Sequence, residues 1–123
     1  MSTRSFICIE GLDGGFQGIY CHYDGYPEHV GKILVEHHNS VSAAEAIVNG
    51  PQSRNFDNDG TVARFGDGTP DDSETYLELK DALESGFDYA YLYSTQENCW
   101  KCFGRNIGGV YELDIPGNEP WLE

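Results

Sequence analysis

The chain of 123 residues fits a single domain, because domains cluster near about 100–150 residues. It is 39% hydrophobic and 13% aromatic, which suffices for a modest core, and its apolar runs are far shorter than the ~20 residues that span a bilayer. The N-terminus also lacks the long apolar stretch of a secretion signal. We therefore expect one folded domain, residues 1–123, that is neither integral to a membrane nor exported by an encoded signal.

Charge is the dominant property of the composition. The 21 acidic and 7 basic residues give a formal net charge of −14. Such a surface is repelled by nucleic acid and by anionic membranes, which excludes both as direct partners, and it attracts proteins with basic grooves. High charge also occurs in disordered chains, but 8 Tyr, 6 Phe and 2 Trp favour a folded acidic domain.

The first segment predicts a β-hairpin. SFICIE and FQGIYCHY have the composition of strands, and LDGG between them supplies residues that tolerate positive φ. Because side chains alternate along a strand, Ile19, Cys21 and Tyr23 are expected on one face of the second strand, and Tyr20 and His22 on the other.

A helix is predicted to begin at Pro27, which suits a first turn because its missing N–H costs little there. Gly31 within this helix indicates a close backbone approach. The predicted buried face consists of residues at helical spacing, namely Val30, Ile33, Leu34 and His37.

A short second helix is predicted next, because Ser42 and Glu45 match a capping box and Asn49-Gly50-Pro51 would end it. Residues 51–72 are then rich in Gly, Asp, Asn and Pro. A structureless loop of this length is uncommon in a compact domain, so we expect a short strand near residues 62–65.

The remaining chain predicts a third helix and a second hairpin. The helix would begin at Thr69-Pro70-Asp71-Asp72 and run to about Ser85. FDYAYLYST and CWKCF would form the hairpin, and the tail offers one more short strand. The order ββααβαββ predicts an α+β domain, in which an antiparallel sheet of two hairpins plus a short strand packs on one face against about three helices.

Residues 18–39, GIYCHYDGYPEHVGKILVEHHN, carry a distinctive string. They resemble a family of small proteins encoded by bacteriophages, prophages and other mobile elements, in which a strand ending in Y-C-H-x-D-G-Y-P runs into a helix of the form E-x-V-G-x-x-L. Most members are described as phage or hypothetical proteins, so the resemblance implies an origin more than an activity. The matching residues are Tyr20, Cys21, His22, Asp24, Gly25, Tyr26, Pro27, Glu28, Val30, Gly31 and Leu34.

This string has two interpretations. In the first, Asp24 caps the helix, with hydrogen bonds from Tyr20 and His22, and the segment is a structural corner. In the second, Tyr20, His22, Asp24 and Tyr26 form one surface that meets a partner, because tyrosine is favoured in such contacts.

The cysteines and histidines do not match a known metal or catalytic pattern. Cys99 and Cys102 have the CxxC spacing of zinc or redox sites, but the other cysteines, Cys8 and Cys21, lie far apart, so we expect small buried thiols on strands. His29 and His37 lie about two helical turns apart, too far to share one ion. We expect no catalytic zinc, no cofactor and no enzymatic activity.

One acidic loop resembles part of a calcium-binding loop. Asn55, Asp57, Asp59 and Gly60 match the first, third, fifth and sixth positions, but Gly66 stands where the bidentate glutamate belongs. A weak site completed by Asp67 is therefore the alternative to a solvated acidic loop.

The acidic residues of the predicted third helix suggest an interface. Glu74, Glu78 and Asp81 would lie on one helix face, at roughly 5–6 Å per turn, which is close to the phosphate repeat of a nucleic-acid strand. A solvated face that keeps the protein soluble is the other interpretation. The predicted partner-binding residues are Asp71, Asp72, Glu74, Glu78, Asp81, Glu84, Tyr26 and Asp24.

We therefore expect an anti-defence protein of a phage or other mobile element, of the anti-CRISPR or anti-restriction type. It would act in the bacterial cytoplasm by stoichiometric binding, as an acidic mimic of nucleic acid. Its partner would be a basic nucleic-acid-handling host protein, a CRISPR effector or a restriction enzyme. Exposed aromatic residues on the last hairpin would also allow a homodimer.

Two alternatives remain open from the sequence. A nucleotide-sequestering protein would stack bases on an aromatic face and hold phosphates with clustered arginines. A cysteine hydrolase would bring a thiol and a histidine together in space, as with Cys21 and His37. The aromatic face would consist of Phe87, Tyr89, Tyr91 and Tyr93, and the arginine cluster of Arg54, Arg64 and Arg105.

Overall fold

The structure, a computed structural model, describes residues 3–11, 14–23, 25–50, 53–57, 59–64, 74–106, 109–113 and 115. These residues form eight strands, one π-helical segment and three α-helices. The strands are β1 (Ser5–Glu10), β2 (Phe16–Cys21), β3 (Ser53–Phe56), β4 (Val62–Arg64), β5 (Glu74–Tyr76), β6 (Tyr89–Ser94), β7 (Cys99–Asn106) and β8 (Gly109–Leu113). The helical elements are the π-helical segment (Pro27–Gly31), α1 (Lys32–His37), α2 (Val41–Val48) and α3 (Leu79–Glu84).

All eight strands belong to one sheet of order β4-β3-β2-β1-β6-β7-β8, with β5 also paired to β2. The α+β class is confirmed, and both predicted hairpins, β1–β2 and β6–β7, are present as antiparallel pairs. The sheet is mixed, however, because β1 pairs with β6 and β2 pairs with β3 in parallel. Helical connections make such pairing possible, since parallel neighbours need a crossover of a dozen or more residues.

The two faces of the sheet bury separate cores. Ile7 on β1 faces one core, and its neighbours Phe6 and Cys8 face the other, as the two-residue period of a strand requires. The core under α1 and α2, here the α1–α2 core, contains Ile7, Ile19, Cys21, Val30, Ile33, Leu34, Ala44, Ile47, Phe56, Tyr91, Tyr93, Trp100, Cys102 and Ile115. The core under α3, here the α3 core, contains Phe6, Cys8, Ala82, Leu83, Phe87, Ala90 and Leu92.

Helices therefore cover both faces, whereas the sequence analysis placed them on one. The central strand explains the difference, because Ser5, Phe6, Ile7 and Cys8 are each fully buried. A strand buried on both faces reads as a continuous apolar run rather than as an alternating one.

The first predicted helix exists but is not uniform. A π-helical segment forms its first part and α1 its second. Ile33 and Leu34 are buried as predicted, while His37 is exposed, because the wider π-helical turn shifts the residues that follow around the helix axis. The expected close approach at Gly31 is confirmed, since a Cβ there would lie 3.0 Å from Ile115 Cγ2 and 3.2 Å from Tyr91 Cε1.

The second predicted helix is α2, but its cap is a different residue. Ser40 Oγ accepts a hydrogen bond from the backbone N–H of Ala43 at 3.1 Å. Ser42, the predicted cap, lies inside the helix. The capping-box assignment was wrong because Ser40 and Ser42 lie two positions apart, and the helix begins directly after Ser40.

The third helix is much shorter than predicted. Residues 74–76 form β5, and Tyr76 pairs with Phe16 of β2. The Tyr76 ring also packs edge-on against Phe6, with ring centroids 5.2 Å apart. Tertiary pairing therefore overrides the helical spacing, which fits the preference of Thr75 and Tyr76 for strands. The predicted start of this helix at 69–72 lies outside the described residues.

The remaining strands partly follow the sequence. β4 confirms the strand expected near residues 62–65, and β8 confirms the strand in the tail. β3 was not predicted, because its four residues Ser53–Phe56 carry little strand signal. Among the described residues, no helix has the length and apolar character needed to cross a bilayer.

The Ser40 cap gives a stability prediction with a matched control. Ser40→Ala should lower the free energy of unfolding by about 1 kcal/mol, because the Ala43 N–H loses its side-chain acceptor. Ser42→Ala removes the same hydroxyl two residues away and should change stability by less than about 0.5 kcal/mol. Urea unfolding followed by circular dichroism measures both. A larger loss for Ser42→Ala would restore the capping box.

Candidate functional site

The acidic residues predicted to line one helix face do not share a helix. Glu74 lies on β5, Glu78 immediately precedes α3, and only Asp81 and Glu84 lie within α3. The row was wrong because Glu74 pairs with Gly18 of β2 in strand geometry. Their role in binding a partner stays a prediction.

Some of these carboxylates have a cationic or phenolic neighbour, so the surface is mixed rather than uniformly acidic. Glu74 accepts a hydrogen bond from the Tyr76 hydroxyl at 2.6 Å. Glu78 lies 3.7 Å from Lys80 Nζ. Glu78 and Glu84 line a cavity of about 420 Å³ together with Leu79, Lys80, Arg105, Gly109 and Val110.

Hydrogen bonds hold the described part of the corner after β2 in place. The backbone N–H of Gly25 donates to Thr3 O at 2.9 Å, and the Tyr91 hydroxyl donates to Gly25 O at 2.6 Å. A Cβ at Gly25 would lie 2.7 Å from Ser5 Oγ, which explains the glycine. Burial raises the pKa of Tyr91, so its hydroxyl remains a donor. These contacts support the interpretation of this segment as a structural corner.

The aromatic residues of the corner divide between two environments. The Tyr20 hydroxyl bonds to His22 Nδ1, and the Tyr20 ring packs near Phe87 of the α3 core. Tyr26 is 37% exposed and contacts His29, with ring centroids 6.0 Å apart. Asp24, Asp71 and Asp72 lie outside the described residues, so their predicted roles stay predictions.

Two histidines, His29 and His38, connect the helical region to the β3–β4 hairpin by hydrogen bonds. His29 Nε2 donates to Phe56 O at 2.7 Å, and His38 Nε2 donates to Gly60 O at 2.8 Å. Burial lowers the pKa of His38, which favours the neutral ring. Both side chains therefore act as structural donors.

The loop that resembled a calcium site is a hairpin turn. Asn55 Nδ2 donates to Asp57 Oδ1 at 3.0 Å, and the N–H of Thr61 donates to Asp59 Oδ1 at 2.9 Å. Hydrogen bonding from Thr61 holds the pKa of Asp59 below its usual value. Within the described ranges, no group of three His, Cys, Asp or Glu side chains is placed to hold a metal. Gly66 and Asp67 lie outside those ranges.

The expectation of buried thiols on strands is confirmed for three of the four cysteines, and Cys99 is half-buried. Cys8, Cys21 and Cys102 are buried, and no disulfide joins the four cysteines. Burial raises the pKa of Cys8, and it raises the pKa of Cys102 to about 12. Cys99 and Cys102 lie three positions apart on β7, so their side chains leave opposite faces of the strand. This geometry suits neither a zinc site nor a redox pair.

The two residues of the considered Cys21–His37 pair differ in their exposure. Cys21 is fully buried, and its thiol donates to Tyr23 O at 3.6 Å. His37 is exposed at the end of α1, where Glu36 Oε2 lies 4.0 Å from its Nε2.

The aromatic face predicted for stacking is mostly inside the protein. Tyr91 and Tyr93 belong to the α1–α2 core, and Phe87 belongs to the α3 core. Only Tyr89 remains half-buried beside a cavity. The strands β3 and β4, which carry Arg54 and Arg64, lie at the other end of the strand order from β7, which carries Arg105.

A cavity of about 680 Å³ among the described residues was missed by sequence reasoning. It opens at the end of the sheet where β1 and β6 begin and β7 ends. Arg4 reaches this end because Ser5 pairs with Tyr89, and Arg105 reaches it because Tyr89 pairs with Gly104. We call it the Arg4–Arg105 cleft; its lining residues are Thr3, Arg4, Gly86, Asp88, Tyr89, Arg105 and Tyr111.

The backbone fixes the floor of this cleft. The N–H of Arg4 donates to Asp88 Oδ2 at 3.0 Å, and the N–H of Asp88 donates to Arg4 O at 2.9 Å. The carboxylate of Asp88 is thus engaged by the main chain. Among the side chains that the structure describes, neither the Arg4 nor the Arg105 guanidinium forms an ion pair with a carboxylate.

Comparison of the chain with protein-family models, curated proteins and solved structures finds no match. The resemblance of residues 18–39 to mobile-element proteins therefore stays a prediction.

The hydrogen bond from Tyr91 to the corner can be tested by removing one oxygen. Tyr91→Phe should lower the free energy of unfolding by about 1–3 kcal/mol, because it leaves a buried carbonyl without this donor. Tyr26→Phe removes a hydroxyl at the exposed side of the same corner and should cost less than about 0.5 kcal/mol. Equal losses in urea unfolding would argue against the buried bond.

Thiol burial gives a chemical prediction. In the native protein, 5,5′-dithiobis(2-nitrobenzoic acid) should react quickly only with Cys99, because the other three cysteines are buried and thiolate formation is disfavoured at Cys8 and Cys102. Unfolding in urea should release all four thiols to the reagent. Rapid native labelling of Cys21 or Cys102, located by mass spectrometry, would revive the cysteine-hydrolase alternative.

Proposed function

We propose that the protein is a non-catalytic inhibitor that binds a basic, nucleic-acid-handling protein of a bacterial defence system. The target class is a CRISPR effector or a restriction enzyme in the cytoplasm of a bacterial host cell. The binding is stoichiometric, and the acidic surface competes with nucleic acid for a groove lined by lysine and arginine. The resemblance of residues 18–39 to mobile-element proteins supports this class of target.

The observation that carries the proposal is the amount of exposed negative charge without a neutralising partner. Of the thirteen acidic side chains that the structure describes, twelve are exposed and Asp81 is half-buried. Glu36, Glu78 and Glu97 pair with lysines. The others form no ion pair with any lysine or arginine whose side chain is described. The negative electrostatic field of these unpaired carboxylates attracts a cationic protein surface and speeds its association.

The segment from β5 to the end of α3 is the described part of the predicted interface. It carries Glu74, Glu78, Asp81 and Glu84 within eleven residues, with Lys80 as its one basic residue. Glu74, Glu78 and Glu84 are exposed. Leu77 is 78% exposed in the same segment, which adds an apolar contact beside the charges.

The first experiment identifies the partner. The tagged protein is purified from bacteria that carry intact CRISPR and restriction systems, with washes at low and high salt. We expect a nucleic-acid-handling complex that high salt or added DNA releases, because both weaken or compete for a charge-dominated contact. Recovery of no such complex would contradict the proposal.

A charge-matched pair of variants then locates the interface on the recovered complex. The triple variant Glu74→Gln, Glu78→Gln, Glu84→Gln should bind about tenfold more weakly, because three exposed charge pairs contribute roughly 0.5 kcal/mol each. The control, Glu10→Gln, Glu45→Gln, Glu112→Gln, removes the same charge from other exposed positions and should bind nearly as wild type. Equal weakening would place the interface outside β5–α3.

A further inference from the structure

The Arg4–Arg105 cleft brings two arginines together on a chain with a net charge of −14. We propose that it binds a small organic phosphate that carries an aromatic ring, of the nucleoside monophosphate class, with the phosphate at the two guanidinium groups. This site adjoins the β5–α3 segment, because Arg105 shares the cavity of about 420 Å³ with Glu78 and Glu84, but the proposal does not depend on the one above.

The size of the cleft suits such a ligand. Its volume of about 680 Å³ lies within the roughly 300–1,000 Å³ of small-molecule sites. Two smaller cavities share its arginines: the one of about 420 Å³ joins Arg105 with Glu78 and Glu84, and one of about 260 Å³ joins Arg4 with Tyr20, Glu74 and Ser85. Each arginine therefore stands where two cavities meet, and a ligand of nucleotide size has room on either side.

The charge of the cleft selects an anion. The chain has three acidic residues for every basic one, yet Arg4 and Arg105 line one cavity and form no ion pair with a carboxylate of the described side chains. The one carboxylate in the lining, Asp88, accepts its hydrogen bond from the main chain of Arg4. Two guanidinium groups with several donors each fit phosphate oxygens better than a single ammonium does.

The long-range repulsion from the net charge of −14 does not prevent this contact. At physiological salt the screening length is about 8 Å, so exposed charges beyond that distance act weakly on the ligand. A guanidinium–phosphate hydrogen bond acts at about 2.8 Å. The local pair of arginines therefore decides the affinity against the nearby carboxylates of Asp88, Glu78 and Glu84, and the more distant carboxylates slow the approach of the ligand.

The aromatic part of the ligand is selected by two tyrosines. Tyr89 is half-buried and Tyr111 is 39% exposed. A Cβ at Gly104 would lie 3.1 Å from Tyr111 Oη, so the absence of a side chain there lets the Tyr111 ring lie across β7. Burial raises the pKa of Tyr89, which keeps its hydroxyl protonated. Ring stacking of a base on an exposed tyrosine adds affinity that inorganic phosphate lacks.

Titration calorimetry at physiological salt tests the proposal with defined probes: the four common ribonucleoside monophosphates, adenosine and inorganic phosphate. We expect at least one monophosphate to bind saturably, one per chain, and at least tenfold more tightly than either adenosine or phosphate. Arg4→Gln and Arg105→Gln should each weaken it about tenfold or more. Lys101→Gln, which removes a basic residue of the same strand β7 that pairs with Glu97 at 2.6 Å, should leave binding unchanged.

A second variant separates the ring from the phosphate. Tyr111→Leu should weaken the monophosphate and leave the affinity for inorganic phosphate unchanged. The side chains of Arg4, Arg105 and Tyr111 are exposed. The urea-unfolding midpoints of these three variants should therefore match wild type, which checks that the fold is intact. The proposal is overturned if no monophosphate binds, if phosphate alone binds as tightly, or if the arginine variants bind as wild type. These measurements test the cleft, whereas the purification and the glutamine variants described above test the acidic surface.

Discussion

The burial of β1 on both of its faces is the constraint on which the rest of the structure depends. Its side chains from Ser5 to Cys8 are fully buried, and its two edges are paired, with β2 on one side and β6 on the other. A strand that is buried in this way must be covered on both faces. Helices α1 and α2 cover one face, and α3 covers the other. The same parallel pairing with β6 brings Arg4 beside Tyr89, so the cleft exists because β1 is central.

Local features of the fold could be predicted from the sequence, and long-range pairings could not. The hairpins, the opposite faces of Ile19 and Tyr20, and the close approach at Gly31 each follow from a few neighbouring residues. β5 was missed because the spacing of acidic residues at 74–84 also fits a helix. The strand is formed because Tyr76 pairs with Phe16, and the sequence gives no sign of this long-range pairing.

The candidate sites show the same division. Carboxylates close in sequence were visible as a group, although their shared helix face was wrong. Arg4 and Arg105 stand at opposite ends of the chain, and nothing in either sequence neighbourhood indicates the other. Their meeting depends on the registers of Ser5 with Tyr89 and of Tyr89 with Gly104. The two arginines that line one cleft of an acidic protein are therefore brought together by topology rather than by composition.

The same topology governs the order in which the chain can fold during synthesis. Arg4 and Asp88, which hydrogen-bond beside the β1–β6 pair, are 84 positions apart. At about 5–20 residues per second, on the order of 4–17 s separate the emergence of β1 from that of β6. Throughout that interval the first hairpin has an apolar strand with one unpaired edge. The ribosome and its associated chaperones therefore receive a nascent segment that attracts other strands, and fast translation of residues 22–88 shortens its exposure.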